Sequence, residues 1–203
     1  MRKVGIFVVL GLAILAIIVV SILLYVNRAN TYTLDVYGTL SPFTLESAAG
    51  GEYHSDNGKV KLLTFFLINC PDAVCPLTMQ DFTKLQEELK AKGWFGTEVE
   101  LVSITFDPAR DTLPALREYS QRYQADYSGW HFLRGEEEEI AAIAQELKYV
   151  YRIREDGSAM HAATMYLLDR ENRLRAYHKM STAMEPMDKE KILSDIAVLV
   201  KEK

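Results

Sequence analysis

The stretch VKLLTFFLINCPDAVCPLTMQDF runs from Val60 to Phe82 and carries the strongest fold signal in this chain of 203 residues. Its first nine residues, Val60 to Ile68, form an apolar run of strand length, which is typical of a sheet strand covered on both faces. After Pro76, apolar residues at helical spacing predict a helix that ends near Gly93. A central strand, a turn and a helix therefore follow one another here.

The rest of the chain continues this alternation of strands and helices. Residues 27–58 predict a short hairpin or meander that ends in a turn at Asn57-Gly58. The sequence then predicts a strand at Val99–Asp107, a helix at Asp111–Gln124, a short apolar stretch at Trp130–Leu133, a helix over 136–150, a polar loop over 151–160, a hairpin of Ala163–Asp169 and Arg173–Met180, and a helix at Met187–Val200. This order predicts an α/β layer fold with a mixed central sheet.

The N-terminal segment is the most apolar part of the chain. It has 23 residues without a charge from Val4 to Val26, and as a helix they would extend about 34 Å, enough to cross a hydrocarbon core of about 30 Å. A cleaved signal peptide has a shorter apolar stretch, of about 7 to 15 residues, and a small-residue cleavage site. We therefore expect residues 1–27 to hold a retained single-pass anchor rather than a buried helix of a soluble protein.

The flanks of this segment predict its orientation. Arg2 and Lys3 favour a cytoplasmic N-terminus, although Arg28 on the other side weakens the contrast. There is no Arg- and Ser-rich transit peptide, so a bacterial cell membrane is favoured over that of an organelle. Residues 28–203 then form one extracytoplasmic domain, and two large domains are excluded by length.

The charge of the outward domain argues against nucleic acid as a partner. The whole chain carries a net charge of -5, and without Arg2 and Lys3 the remainder has 21 basic and 28 acidic residues. Proteins that bind phosphate backbones are basic. The four glutamates at 136–139 lie where a helix begins, and the helix dipole favours negative charge there.

The two cysteines of the chain, Cys70 and Cys75, lie in the turn between the central strand and the first helix. Free N–H groups at a helix start lower the pKa of a thiol and stabilise the thiolate, which attacks disulfides and binds soft metals. A turn over four residues allows either a disulfide or the chelation of one ion. An inert structural disulfide is the other interpretation, but so short a loop removes little chain entropy.

The third candidate residue is His161, one of four histidines. It ends the predicted polar loop and enters a strand, and α/β folds gather their functional loops at strand mouths. Two sulfurs and an imidazole suit copper, as Cu(I) or Cu(II), better than zinc. Three methionines, Met79, Met160 and Met165, are nearby sulfurs that equally suit core or surface positions.

Four stretches follow one another in the order of a known family: FFLINCPDAVCPLTMQDFTKLQEEL, ITFDPARDTLPALREYSQRY, WHFLRG and MHAATMYLLDRENRLRAY. Over about residues 36–200 the chain resembles the Sco/SenC family of membrane-anchored, thioredoxin-like proteins. The resemblance implies a thioredoxin-like three-layer fold and a role in assembling the copper A centre of cytochrome c oxidase. It also implies that Cys70, Cys75 and His161 bind one copper ion, and that the oxidase subunit carrying the copper A site is the partner.

The resemblance extends to several acidic residues and has one departure. Asp72 matches an aspartate inside the family's cysteine loop, and Asp107, Pro108 and Asp111 match the segment after the second strand. The family has three residues between its cysteines, whereas CPDAVC has four. The added residue, Ala73 or Val74, changes the turn and the approach of the two sulfurs, and the loop before His161 looks short.

Two functions follow from these residues. In the first, the domain is a copper metallochaperone whose reduced thiols and His161 hold the ion and pass it on by ligand exchange. In the second, it is a thiol-disulfide oxidoreductase in which Cys70 and Cys75 reduce target cysteines outside the cytoplasm. A peroxidase of the peroxiredoxin type is a weaker alternative, because no clear threonine precedes a cysteine at that family's spacing.

Overall fold

A computed structural model describes residues 11, 13–22, 32–154 and 158–202. The chain divides into two compact units, Met1–Thr33 and Leu34–Lys203. In the first unit, residues 13–22 are helical and exposed. No helix within the described ranges is both long enough and apolar enough to cross a membrane. Much of the predicted anchor, Val4 to Val26, lies outside the described residues.

In its described part, the second unit forms ten strands and four helices. The strands are β1 (Gly38–Thr39), β2 (Thr44–Ser47), β3 (Glu52–His54), β4 (Val60–Phe66), β5 (Val99–Thr105), β6 (Trp130–Arg134), β7 (Tyr151–Ile153), β8 (Ala159–His161), β9 (Thr164–Leu168) and β10 (Arg173–Lys179). The helices are α1 (Val74–Ala91), α2 (Leu113–Arg122), α3 (Glu137–Glu146) and α4 (Lys189–Lys201).

Eight of these strands form one mixed sheet in the order β1-β10-β9-β4-β5-β6-β2-β3. The strands β4, β5 and β6 run parallel, whereas β9 lies antiparallel to β4 and β10 lies antiparallel to β9. Every residue of β4 and β5 is buried, as expected of strands covered on both faces. The predicted α/β fold with a mixed sheet is confirmed.

Helices lie on both faces of this sheet. Phe65 and Phe66 are neighbours in β4 and therefore point to opposite faces. The Phe66 ring stacks on Tyr119 of α2 with centroids 5.5 Å apart, and the Phe65 ring stacks on Tyr149, just after α3, at 4.4 Å. The sheet is thus the middle of three layers. Because β4 and β5 are parallel, the segments that follow them meet at one edge of the sheet.

The segment before His161 differs from the predicted polar loop. Residues 151–153 and 159–161 form an antiparallel pair, β7 and β8, in which Tyr151 lies opposite His161. Tyr151 and Ile153 alternate with two arginines, so the charges concealed a period of two that is typical of a strand. The Tyr151 ring packs on Phe106 at 5.1 Å. His161 therefore ends β8 instead of entering β9.

The other predicted elements are present, with ends shifted by a few residues. Thr112 caps α2 by accepting the Ala115 N–H at 3.4 Å. The hairpin of β9 and β10 closes across residues 170–172, where Asn172 has a φ of 59°. Short polar residues tolerate this left-handed conformation in tight turns.

Candidate metal centre

The turn between β4 and α1 contains Cys70 and the residues that begin the helix. The Asp72 carboxylate accepts the Val74 N–H at 3.1 Å, which satisfies one of the free donors at the helix start. Ala73 directly precedes the helix with a φ of 62°, in the left-handed region. That conformation costs an alanine about 1 to 2 kcal/mol. The four-residue spacing between the cysteines therefore closes through a strained alanine.

The two thiols differ in exposure. Cys75 lies in the first turn of α1 and is fully buried, whereas Cys70 is half-buried, and both are free thiols. The backbone N–H of Cys75 points to the Sγ of Cys70 over 3.4 Å. The free N–H groups of the helix start therefore stabilise negative charge on Cys70.

His161 reaches the thiols from the end of β8. Its Nε2 lies 3.7 Å from the Sγ of Cys70, and its side chain is only 1% exposed. Its Nδ1 lies 3.1 Å from the carbonyl oxygen of Ala162. Since a carbonyl oxygen only accepts, Nδ1 carries the proton of this bond, and Nε2 faces the sulfurs. The Phe106 ring packs beside the imidazole with centroids 5.5 Å apart.

The structure brings all three predicted donors together. The ligand atoms of Cys70, Cys75 and His161 lie within 4.8 Å of one another. Donors that share one ion at about 2.0 to 2.3 Å in a planar arrangement lie roughly 3.5 to 4 Å apart. Small side-chain rotations would therefore complete a three-coordinate site. Two thiolates and an imidazole are donors that suit copper, or zinc with a further ligand.

The pKa values of the two thiols are shifted in opposite directions. The pKa of the Cys70 thiol falls from its ordinary 9.0 to about 6, chiefly because the Cys75 thiol donates a hydrogen bond to it; burial opposes the shift and His161 supports it. The pKa of Cys75 is raised, first because its proton is held by Cys70 and second because the side chain is buried. In the metal-free dithiol, Cys70 is therefore the thiolate and Cys75 keeps its proton.

The imidazole and the nearby carboxylate also respond to Cys70. The hydrogen bond to Cys70 raises the pKa of His161, although burial opposes it. Burial alone would raise the pKa of Asp72, but the Cys70 thiol, while it is protonated, and the Val74 N–H donate to the carboxylate and bring its pKa below the usual range. Asp72 lies 2.9 Å from the Cys70 Sγ and 3.6 Å from the His161 Nε2, so it contacts two of the three donors.

The three candidate methionines make other contacts. Met79 and Met165 are fully buried, and the Met79 sulfur accepts the Ser103 hydroxyl at 3.8 Å. Met160 is 56% exposed, and its sulfur lies 3.2 Å from a guanidinium nitrogen of Arg154. These contacts are those of core and surface residues.

The remaining histidines have other neighbours. His54 bonds to the Thr44 hydroxyl at 3.0 Å, and His131 and His178 face Glu100 and Asp195. Within the described ranges, Cys70, Cys75 and His161 are the one cluster of potential metal ligands.

Two residues that hold His161 were not predicted from the sequence. Phe106 packs on the imidazole and the Ala162 carbonyl accepts its Nδ1–H. Phe106 follows β5 directly, and nothing in its spacing links it to a histidine 55 positions later. The Ala162 contact uses the backbone, which leaves no signal in side-chain identity.

Fold and site together define a thioredoxin-like domain with two thiols and one imidazole at the start of its first helix. The SCO1/SenC family model matches residues 34–200, and the chain belongs to that family.

Relatives and solved structures agree with this assignment. An SCO2-like protein of Rickettsia conorii is 30% identical over 155 residues, which are 72% of each chain. The structure of BsSco, a member of the Sco family of cytochrome c oxidase assembly proteins, has 25% identity and a TM-score of 0.72 over 85% of this chain and 100% of BsSco. A copper-bound ScoI from Arabidopsis thaliana has 26% identity and a TM-score of 0.64 over 78% of this chain and 98% of its own.

Proposed function

We propose that this protein is a copper metallochaperone that binds one copper ion through Cys70, Cys75 and His161 and delivers it during cytochrome c oxidase assembly. The convergence of the three donor atoms within 4.8 Å carries this proposal. Two relatives support it: ScoI of Arabidopsis thaliana has been solved with copper bound, and BsSco belongs to a family of oxidase assembly proteins.

The protonation states predict how copper would bind. Cys70 is already a thiolate, whereas Cys75 holds a proton that the ion must displace. His161 offers Nε2 once its own extra proton is lost. Loading with Cu(I) therefore releases protons to solvent, and the affinity rises with pH until the ligands are deprotonated. Transfer to a partner proceeds by ligand exchange at Cys70, the more exposed sulfur.

Copper titration of single variants tests the proposal. We expect wild-type protein to bind one Cu(I), and Cys70→Ser, Cys75→Ser and His161→Ala each to weaken binding by more than tenfold. His54→Ala is the matched control, because His54 bonds Thr44 on the hairpin of β2 and β3 and contacts none of the three donors. Unchanged stoichiometry and affinity in all three site variants would remove the proposal.

We also propose that residues 4–26 anchor the protein in a bacterial cell membrane with the metal domain outside the cytoplasm. The supporting observation is the uncharged run of 23 residues behind Arg2 and Lys3. The partner would be the oxidase subunit that carries the copper A site. A membrane-impermeant maleimide should label Cys70 in intact cells, whereas labelling only after lysis would contradict this placement.

The asymmetry of the thiols favours a second candidate function, thiol-disulfide exchange. The Cys70 thiolate attacks a target disulfide, forms a mixed disulfide and releases one target thiolate. Cys75 then gives its proton to the medium and attacks the Cys70 sulfur. This closes an intramolecular disulfide and releases the second target thiolate. Two electrons pass to the target, which leaves both of its cysteines reduced and ready for a metal.

A trapping experiment separates the two functions. Cys75→Ser keeps the attacking thiolate but cannot resolve the mixed disulfide, so a target should remain linked to Cys70. Cys70→Ser should trap little, because Cys75 is fully buried. His161→Ala should lose copper binding but still reduce targets. If cells that carry this variant lose the function of the protein, copper binding is its biological role. If they keep the function, thiol reduction is the role.

A further inference from the structure

A buried carboxylate outside the donor set holds the chain just before Cys70. Asp111 is only 2% exposed and lies between the ends of β4 and β5. Its Oδ2 accepts the backbone N–H of Ile68 at 3.1 Å and the hydroxyl of Thr105 at 2.5 Å. A buried carboxylate is costly unless donors satisfy it, so these two bonds account for its presence in the core.

The bond to Ile68 lies where the sheet ladder ends. At the end of β4, the Phe66 carbonyl accepts a backbone hydrogen bond at 3.0 Å from the N–H of Phe106, which follows β5. Two residues later the Ile68 N–H points to the Asp111 side chain, and after two more residues the chain reaches Cys70. The direction in which the chain leaves the sheet therefore depends on this carboxylate.

The segment that carries Asp111 also touches the histidine side of the site. The Arg110 and Asp111 N–H groups both donate to the Asp107 carbonyl, which makes residues 107–111 a tight turn. Phe106, directly before this turn, packs on the His161 ring at 5.5 Å. Residues 106–111 therefore contact the Ile68 backbone through Asp111 and the His161 ring through Phe106.

We infer that Asp111 is a positioning residue that sets the distance of Cys70 from Cys75 and His161. It touches none of the three donor atoms and acts through the Ile68 backbone. The inference refines the site of the proposed function, but it concerns the placement of a sulfur, so it holds for metal binding and for disulfide exchange alike. Thr105 supports it by donating to the same oxygen.

The test uses the full chain in reduced, metal-free form and three readouts. Asp111→Ala should speed hydrogen exchange at the Ile68 amide and lower the equilibrium constant for Cys70–Cys75 disulfide formation against glutathione by about tenfold, because loosely held thiols meet less often. It should also weaken Cu(I) binding by about tenfold, as losses of residues that support ligands do. Asp111→Asn keeps an oxygen acceptor for Ile68 and should therefore show much smaller changes in all three measurements.

Glu100→Gln is the matched control. Glu100 is equally buried, at 2% exposure, but lies at the other end of β5 and bonds to Tyr53, Asn57 and Lys59. It should lower stability without changing the disulfide equilibrium. If Asp111→Ala fails to fold, Thr105→Val removes one of the two bonds at nearly constant volume and should give a smaller shift in the same direction.

The outcomes distinguish this inference from the proposed function. A lowered unfolding temperature with unchanged disulfide equilibrium and Cu(I) affinity in Asp111→Ala would make the residue merely structural and overturn the inference. Wild-type protein that binds no Cu(I), together with a shifted disulfide equilibrium in Asp111→Ala, would refute the metallochaperone and leave the positioning role intact.

Discussion

The Nε2 of His161 lies 3.7 Å from the Sγ of Cys70, although 91 residues separate them in the sequence. The imidazole arrives on β8, outside the main sheet, and is held by Phe106 and by the Ala162 carbonyl. It meets a sulfur that the start of α1 already keeps negative. A soft ion thus finds one charged sulfur and one imidazole side by side before it displaces any proton from Cys75.

The pH dependence of alkylation should identify Cys70 as the reactive thiol. Because its pKa is lowered to about 6, the thiolate and its reaction with iodoacetamide should grow as pH rises through about 6. Cys75, buried and protonated, should stay unmodified. Cys75→Ala removes the largest cause of the shift and should move the midpoint towards 9.0. Mass spectrometry of metal-free protein measures this, and an unshifted midpoint in Cys75→Ala would contradict it.

The strained alanine in the cysteine turn should be sensitive to side-chain branching. Ala73 has a φ of 62°, a conformation that glycine adopts freely and β-branched residues avoid. Ala73→Val should lower the free energy of unfolding by about 1 to 3 kcal/mol, whereas Ala73→Gly should be neutral or slightly stabilising. Urea unfolding of the reduced protein checks the pair. Equal effects of valine and glycine would show that the turn relaxes.

Glu100 should stabilise the far end of the sheet through buried charge. Burial alone would raise its pKa, but bonds to His131 and Lys59 outweigh it and lower the pKa to about 2. Its contribution is therefore complete above about pH 4.5 and is lost as pH falls towards 2. Glu100→Gln should cost about 3 kcal/mol at pH 7. Glu98→Gln, which removes a more exposed pair with Arg170, should cost less than about 1 kcal/mol.

Comparing the two variants at pH 7 and pH 3 by urea unfolding tests this assignment. The difference between wild type and Glu100→Gln should shrink at the lower pH, because at pH 3 the carboxyl is largely protonated in the unfolded chain but still ionised in the folded protein. If the difference in the free energy of unfolding stays constant, the shape of the Glu100 side chain and not its charge provides the stabilisation.

Lys61 should oppose folding at neutral pH. Burial lowers its pKa from 10.5 to about 8, although Glu100 and Asp169 act in the other direction. Since the folded-state pKa is below that of the unfolded chain, the ammonium disfavours folding below about pH 8, and this penalty fades as pH rises towards 10.5. Lys61→Met should therefore raise the free energy of unfolding by about 1 to 3 kcal/mol at pH 7.

The gain from Lys61→Met should fall markedly at pH 10, where the wild-type amine is mostly neutral. Lys84→Met is the control, because Lys84 is exposed and pairs with Asp81 three residues away; its effect should stay within about 0.5 kcal/mol. A destabilised Lys61→Met at pH 7 would show that the bond from Lys61 to the Lys59 carbonyl outweighs the burial of charge.

Several features of the fold were predictable because they depend on local periodicity. The apolar run of β4, the cysteine turn and the stripe of α1 follow from residues close in sequence, and so does the hairpin of β9 and β10. The strand β7 was missed because its two arginines made residues 151–154 read as polar. Alternation over three residues is too short to stand out from a charged loop.

The sequence by itself determined that two thiols stand at the start of a helix, since strand, turn and helix are all set by neighbours along the chain. Only the tertiary structure decided which thiol is buried, which carboxylate holds Ile68 and that His161 closes the site. These contacts join residues from different strands across the edge of the sheet. Their distances depend on how β4, β5 and β8 pack together, and no spacing along a single chain records that packing.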